Sequence, residues 1–181
     1  MFHHVPGFGR ADLGAFFQVE GVHIPCVPIV GLVIEDDEVG GTCLNWGCIP
    51  TKTVIASAEI LSKIRDLDTF GIDLKGEVTA NLQKIQERKN KVVGIQVKGV
   101  KSLFKSWGIS LKQGRGVLIS QKEIEVTSRD GSRERVGGDK IILATGSRPF
   151  NMPAFPFDGE RIISSNEAVN LTEIPRSLLI V

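Results

Sequence analysis

Hydrophobic positions along these 181 residues change period several times, and each change marks an expected element. Leu32-Val33-Ile34 is a short apolar run closed by Glu35, the pattern of a buried strand ending in an acid. From Thr51 onward Val54, Ala58, Leu61 and Ile64 recur at helical spacing, with Ile55 beside them, which predicts a helix with one buried face. A second, longer helix is expected from Thr79 to Trp107. There Leu82, Ile85, Val92, Ile95 or Gln96, Val100, Leu103 and Trp107 share a side, and lysines and arginines decorate the other. The basic residues between Lys84 and Lys105 read as a solvated face with no ligand.

The period then drops to that of strands. Ile109 to Lys112, Gly114 to Ile119 and Glu123 to Thr127 are extended runs, and Arg129-Asp130-Gly131-Ser132 supplies a hairpin signal. The return strand, Arg133 to Gly138, is mostly polar and therefore poor. Lys140 to Leu143 reads as a buried strand of the parallel type, ending in Ala144-Thr145-Gly146. Asn151 to Glu160, rich in Pro and Phe, reads as a linker, and Ser164 followed by Glu167 as a capping box. The last run, Ser177 to Val181, is apolar and strand-like.

Composition narrows the classes. The chain is long enough for one domain with a real core and short for two. Its 22 basic side chains nearly balance 21 acidic ones, so neither nucleic acid nor an acidic membrane surface is an expected partner. The nearest approach to a membrane span, Val22 to Ile34, is broken by Pro25 and Pro28. The opening residues lack the basic start and apolar stretch of a secretory signal, and three cysteines argue against a secreted disulfide scaffold, so the cytoplasm is the expected compartment.

The chemistry concentrates in Gly40-Gly41-Thr42-Cys43-Leu44-Asn45-Trp46-Gly47-Cys48-Ile49-Pro50-Thr51-Lys52. Residues five apart on a regular helix have Cα atoms roughly 8 to 9 Å apart, whereas a disulfide needs about 4.4 to 6.8 Å. Cys43 and Cys48 can therefore bond only if the segment is not helical throughout. Gly40, Gly41 and Gly47 allow unusual backbone angles and Pro50 restricts Ile49, so we expect a loop or distorted first turn holding a small disulfide ring, with regular helix from about Thr51. Zinc binding by the two thiols is the lesser reading, because no further Cys or His follows Cys48. No metal site is assigned. Lys52 sits in a first helical turn, where a cation is not favoured by the helix dipole, which suggests a specific partner.

These thirteen residues resemble the redox-active disulfide motif of the flavin-dependent pyridine nucleotide–disulfide oxidoreductases. The wording is most similar to the dihydrolipoamide dehydrogenases; glutathione and mercuric reductases carry related versions. The resemblance continues more loosely through Ile141 to Pro149 and runs from about Val33 to Val181.

It implies an α/β fold: an FAD/NAD(P)-binding, Rossmann-like domain with inserted antiparallel β segments, incomplete at both ends. The expected divisions are an unmatched segment 1–31, an FAD-binding part 32–150 with the redox disulfide, and 151–181 as linker and first strand of an NAD-binding domain. It further implies Cys43 as the thiol that exchanges with substrate sulfur and Cys48 as the thiol nearest the flavin. Glu35 would take the adenosine ribose, the alternative being a solvated acid in the cluster Glu35 to Glu38. Gly41 and Thr42 would line the cofactor, and Lys52 would sit against the flavin ring. Gly114 and Gly116 would allow close approach of adenine, or simply start a strand. Thr145, Gly146 and Ser147 would pass beside FAD.

The implied reaction moves electrons between a lipoamide-type dithiol, the disulfide, FAD and NAD, a role in cell redox homeostasis. The implied partners are a second copy of the chain and a 2-oxo acid dehydrogenase complex or the glycine cleavage system. In the family the base is a histidine–glutamate pair from the partner subunit's C-terminal domain. His3, His4 and His23 are not expected to replace it, and Cys26 is read as an incidental thiol.

Two alternatives stand beside this reading: a truncated chain without working flavin binding or catalysis, and part of a glutathione or mercuric reductase-like enzyme. By itself the chain is expected to be inactive. The first 31 residues lack the flavin fingerprint, since Gly7, Gly9 and Gly14 have the wrong spacing and no apolar strand precedes them. A divergent start, a shifted reading frame or a lost first βα unit would each explain this. The abrupt return of the match at Leu32 favours the last two.

Overall fold

The structure is a computed structural model and describes residues 31–181, together with the backbone of two short strands before them. Those are β1 (Gln18–Val19) and β2 (Val22–His23), paired antiparallel. His3, His4, Cys26, the side chain of His23 and the glycines at 7, 9 and 14 lie outside the described residues.

The chain then runs through β3 (Leu32–Glu35), α1 (Gly41–Asn45), α2 (Cys48–Arg65), a 3₁₀ turn (Leu67–Phe70) and α3 (Leu82–Ser106) into β4 (Ser110–Gln113). β3 and β4 pair in parallel, Leu32 opposite Ser110 and Glu35 opposite Gln113, with the helices forming the crossover that parallel strands require. β5 (Arg115–Ser120), β6 (Glu123–Thr127) and β7 (Arg133–Gly137) make an antiparallel meander. It is joined to the parallel pair where Gly114 N donates to Glu35 O at 2.8 Å. Val126, fully buried, is the centre of this joint.

β7 forms in full register with β6, contrary to the poor strand expected. Val136, its one apolar side chain, stands opposite Ile124, and the rest of the strand is exposed. It is the outer strand of the meander, where charge on the open side discourages further pairing.

Residues 140–143, by contrast, form no strand, and Ile142 is 89% exposed. A doubly wound sheet seats its first strand between the second and the fourth. Here β3 and β4 take the second and third places, and among the described residues no strand stands beside β3 on its other edge. The run 140–143 therefore has no ladder to enter. Residues 177–181 are likewise exposed and unpaired.

The helices follow the pattern more closely. Asn81 caps α3 by accepting from Lys84 N at 3.0 Å. Ser164 and Glu167 form the expected capping box at α4 (Ser165–Ala168). The inner face of α3 ends on Val97, Val100 and Phe104, while Leu103 and Trp107 turn outward.

Lys89 corrects the reading of the basic face, for it is only 3% exposed. It sits four residues after Ile85 and three before Val92, on the apolar seam, and its Nζ donates to Asn170 Oδ1. Gln86 Nε2 reaches Leu171 O at 3.1 Å beside it. Burial pulls the Lys89 ammonium below its ordinary value. The folded chain thus releases this proton at lower pH than the unfolded chain, so unfolding takes up protons and stability rises with pH until the ordinary lysine value, about 10.4, is reached. Urea midpoints of the parent should climb relative to Lys89→Met as pH is raised towards that value. A difference that stays flat would show that Lys89 is not desolvated.

Candidate functional site

Two helices meet at the dithiol. α1 is a single short helix entered through Gly40, whose φ of +110° is closed to ordinary side chains. A Cβ there would also stand 2.9 Å from the Leu44 side chain. Trp46 N closes α1 on Thr42 O at 2.9 Å, and Gly47 then breaks the path with φ −127° and ψ −112°. A Cβ on Gly47 would meet Thr42 O at 3.0 Å and Cys43 Cα at 3.3 Å, so the two helices approach over a bare backbone. The expected interruption between the cysteines is present, but regular helix resumes at Cys48 rather than near Thr51. Pro50 tolerates this because it lies in the first turn, where its missing N–H has no helical acceptor.

The expected disulfide ring is not closed in this structure: Cys43 and Cys48 are both exposed free thiols. The Cys48 side chain, near enough to share a proton, raises the Cys43 thiol, with desolvation and the charge of Cys48 adding to the shift; the Cys48 backbone and then the Lys52 ammonium oppose it. Lys52, exposed, lies one turn beyond Cys48.

The supporting residues were not singled out by sequence. Asn45 Nδ2 donates to Glu38 O at 3.2 Å, Val39 O at 3.2 Å and Gly41 O at 3.1 Å, which folds the approach loop onto α1. Thr53, buried, donates its hydroxyl to Ile49 O at 2.7 Å, and Arg88 Nη1 donates to Thr53 O at 2.9 Å, tying α2 to α3. For Asn45 a signal existed: an amide inside a glycine-flanked turn is a natural partner for loop carbonyls.

The other expected site residues fall into two further groups. Glu35 ends β3, half-buried, and its Oε1 accepts from Asp37 N at 3.0 Å. Beside it, Gly114 and Gly116 turn their vacant sides towards protein. A Cβ on Gly114 would meet Thr127 O at 2.7 Å, and one on Gly116 would meet Ile124 Cγ2 at 3.2 Å and Ile34 Cγ2 at 3.3 Å. Thr145, Gly146 and Ser147 are exposed, in a stretch with no hydrogen bond to either of the other groups among the described residues. Gly41 and Gly146 differ from Gly114 and Gly116 in facing open space, with no atom within 4 Å of an added Cβ. An open groove of about 500 Å³ adjoins Gly114, lined by Asp36, Arg115, Glu125, Arg129 and Arg133 among others. Among the described residues no group of three or more His, Cys, Asp or Glu side chains is placed to hold a metal ion. No helix of the described residues is long and apolar enough to cross a membrane.

Comparison with known proteins gives the family. Residues 26–181 match the family described as pyridine nucleotide-disulphide oxidoreductase. A dihydrolipoyl dehydrogenase of Bacillus subtilis is 42% identical over 151 residues, covering 83% of this chain and 33% of the relative. One from Chlorobaculum tepidum is 38% identical over 149 residues, covering 82% and 32%. The chain thus spans about a third of the length of the curated relatives it matches. The crystal structure of LpdA from Mycobacterium tuberculosis superposes with a TM-score of 0.72 at 28% identity, over 81% of this chain and 32% of that one.

Proposed function

This chain belongs to the pyridine nucleotide-disulphide oxidoreductase family and has its Rossmann-like α/β fold, and from that we propose that it is the FAD- and disulfide-bearing part of an oxidoreductase of the dihydrolipoyl dehydrogenase kind. The observation that carries the reading is the Cys43–Cys48 pair, two exposed thiols on either side of the Gly47 break with Lys52 one turn beyond.

The residues present fit a flavin at two of its ends. Glu35 offers a carboxylate at the C-terminal end of a parallel strand, the place a ribose hydroxyl takes in such folds. Gly41 and Gly146 present bare backbone to open space, which suits a flat ring or phosphate passing close by. By contrast, Gly114 and Gly116 are required by the packing of the meander on β3, which accounts for them without adenine. Bound FAD would supply a two-electron acceptor beside the dithiol.

The chain's own residues have these proposed roles. Cys43 exchanges with substrate sulfur. Cys48 faces the flavin. Lys52 contributes positive charge where a reduced ring becomes anionic. Thr42, Thr145 and Ser147 complete the lining. Residues 32–150 form the flavin part and 151–181 the linker and first strand towards a nicotinamide domain. NAD as electron partner, a lipoamide-type dithiol as substrate, a homodimer, and docking to a 2-oxo acid dehydrogenase or glycine cleavage assembly complete the proposal.

The test is an absorbance spectrum of the purified chain with added FAD and a dithiol reductant. Visible flavin absorption should co-elute with the protein, and reduction should bring a long-wavelength thiolate–flavin band. Cys48→Ser should lose that band while keeping the flavin. A chain that stays colourless after incubation with FAD would overturn the reading.

A further inference from the structure

The three strands of the meander gather arginines on one face. Arg115 on β5 stands opposite Thr127 on β6, and Thr127 opposite Arg133 on β7, so two arginines flank a threonine in a single cross-strand row. With neighbouring strands about 4.7 to 4.9 Å apart, the Cα atoms of the two arginines lie roughly 9 to 10 Å from each other. Arg129, from the turn between β6 and β7, joins them on the wall of the open groove of about 500 Å³ beside Gly114. Thr127 and Ser128 add hydroxyl donors to the same wall.

The guanidinium groups are largely uncommitted. Among the described residues Arg133 is the one of the three with an ion-pair partner, and its 3.6 Å to Glu125 Oε1 is longer than a hydrogen bond. All three side chains are exposed. Two carboxylates, Asp36 and Glu125, share the groove, so three cations face two anions there.

We propose that this groove binds a small diphosphate, either inorganic pyrophosphate or the diphosphate of a nucleotide, with Arg115 and Arg133 each facing one phosphoryl group and Arg129 beside them. The planar fork of a guanidinium matches a pair of phosphate oxygens, so an arginine row suits this ligand better than a lysine row would. A single phosphate would leave most of the groove empty, whereas two linked phosphoryl groups reach towards both ends of the row. No flavin role falls to any of these side chains, and the dithiol takes no part.

Equilibrium dialysis of the full, flavin-free chain against radiolabelled pyrophosphate tests this, at one ionic strength throughout because salt weakens every exposed pair. About one pyrophosphate should bind per chain. Arg115→Gln and Arg133→Gln should each weaken binding about tenfold, the loss of charge-assisted hydrogen bonds. Arg65→Gln, at the end of α2 and outside the groove, should leave it unchanged. Asp36→Asn should tighten it, because a negative charge leaves the groove wall. All four positions are exposed, and an unchanged urea midpoint checks that each variant folds. Displacement of the label by ADP would extend the site to nucleotides; retention of the label would keep it for the inorganic ion. Absence of saturable binding, an equal loss in Arg65→Gln, or weaker binding in Asp36→Asn would each overturn the proposal. ADP that binds where pyrophosphate does not would place recognition on the nucleoside and overturn it as well.

Discussion

Given FAD, NADH and lipoamide, the 181-residue chain should oxidise NADH no faster than its own Cys43→Ser variant. Two requirements of the complete reaction are unmet by the residues described. The exchange of a dithiol needs a base to take its proton, worth typically about 10² to 10⁴ in rate, and none of residues 31–181 is a histidine. Hydride transfer needs a nicotinamide held against the acceptor. Positioning of that kind supplies on the order of 7 to 11 kcal/mol of the barrier in well-oriented systems, and the apolar run 177–181 of this chain is exposed and unpaired. The deficits multiply. The measurement is the fall in NADH absorbance with time. Turnover above the Cys43→Ser control would refute the expectation and would place a working nicotinamide site within these residues.

The second large effect is on stability. Gly114→Ala should lower it by about 2 to 4 kcal/mol, the sum of a strained backbone and an overfilled contact. Gly114 has φ +155°, and the new Cβ would lie 2.7 Å from Thr127 O and 3.1 Å from Val126 Cγ1. Thr127 O is backbone in a paired strand and cannot yield without disturbing β6. The same glycine donates its N–H to Glu35 O, so the substitution strikes the joint between the meander and β3 and, with it, the strand that presents Glu35. Gly131→Ala is the control. Its φ is +84°, but no atom lies within 4 Å of an added Cβ, so it should cost only the backbone share, about 1 kcal/mol. The difference between the two urea midpoints measures the clash. Equal midpoints would mean that the Gly114 turn can open without cost to the sheet.

Much of this was legible beforehand where local chemistry decides the outcome. The helix break follows from asking how Cys43 could reach Cys48, and the glycine that makes the break is printed between them. Ser164 and Glu167 cap the helix they were expected to cap, because capping is settled within four residues. What escaped depends on distant partners. Lys140 to Leu143 carries a strand's apolar pattern, yet a strand exists only where a neighbour offers hydrogen bonds. Lys89 was counted with a solvated face, although its spacing from Ile85 and Val92 put it on the buried seam. Only the arrival of Asn170, 81 positions later, makes that burial tolerable. Gly114 and Gly116 stand where Thr127, Ile124 and Ile34 come close, contacts between strands that no local pattern prints. The family assignment was legible from the thirteen-residue motif alone; the three-part layout of the site and the individual roles within it were not.

One amide has a consequence for how the molecule ages. The loop before the dithiol keeps its shape because two hydrogens on Asn45 Nδ2 are shared among three carbonyl oxygens. Hydrolysis of that side chain to a carboxylate would replace the donor with a charged acceptor facing the same three oxygens, with no bond left to make. Nothing in the pairing of β3 with β4 or in the meander depends on it. Chemical damage at this single nitrogen would therefore reach the setting of the thiols first and leave the folded scaffold behind, so that a stored sample would lose the shape around its dithiol while still passing every test of its secondary structure.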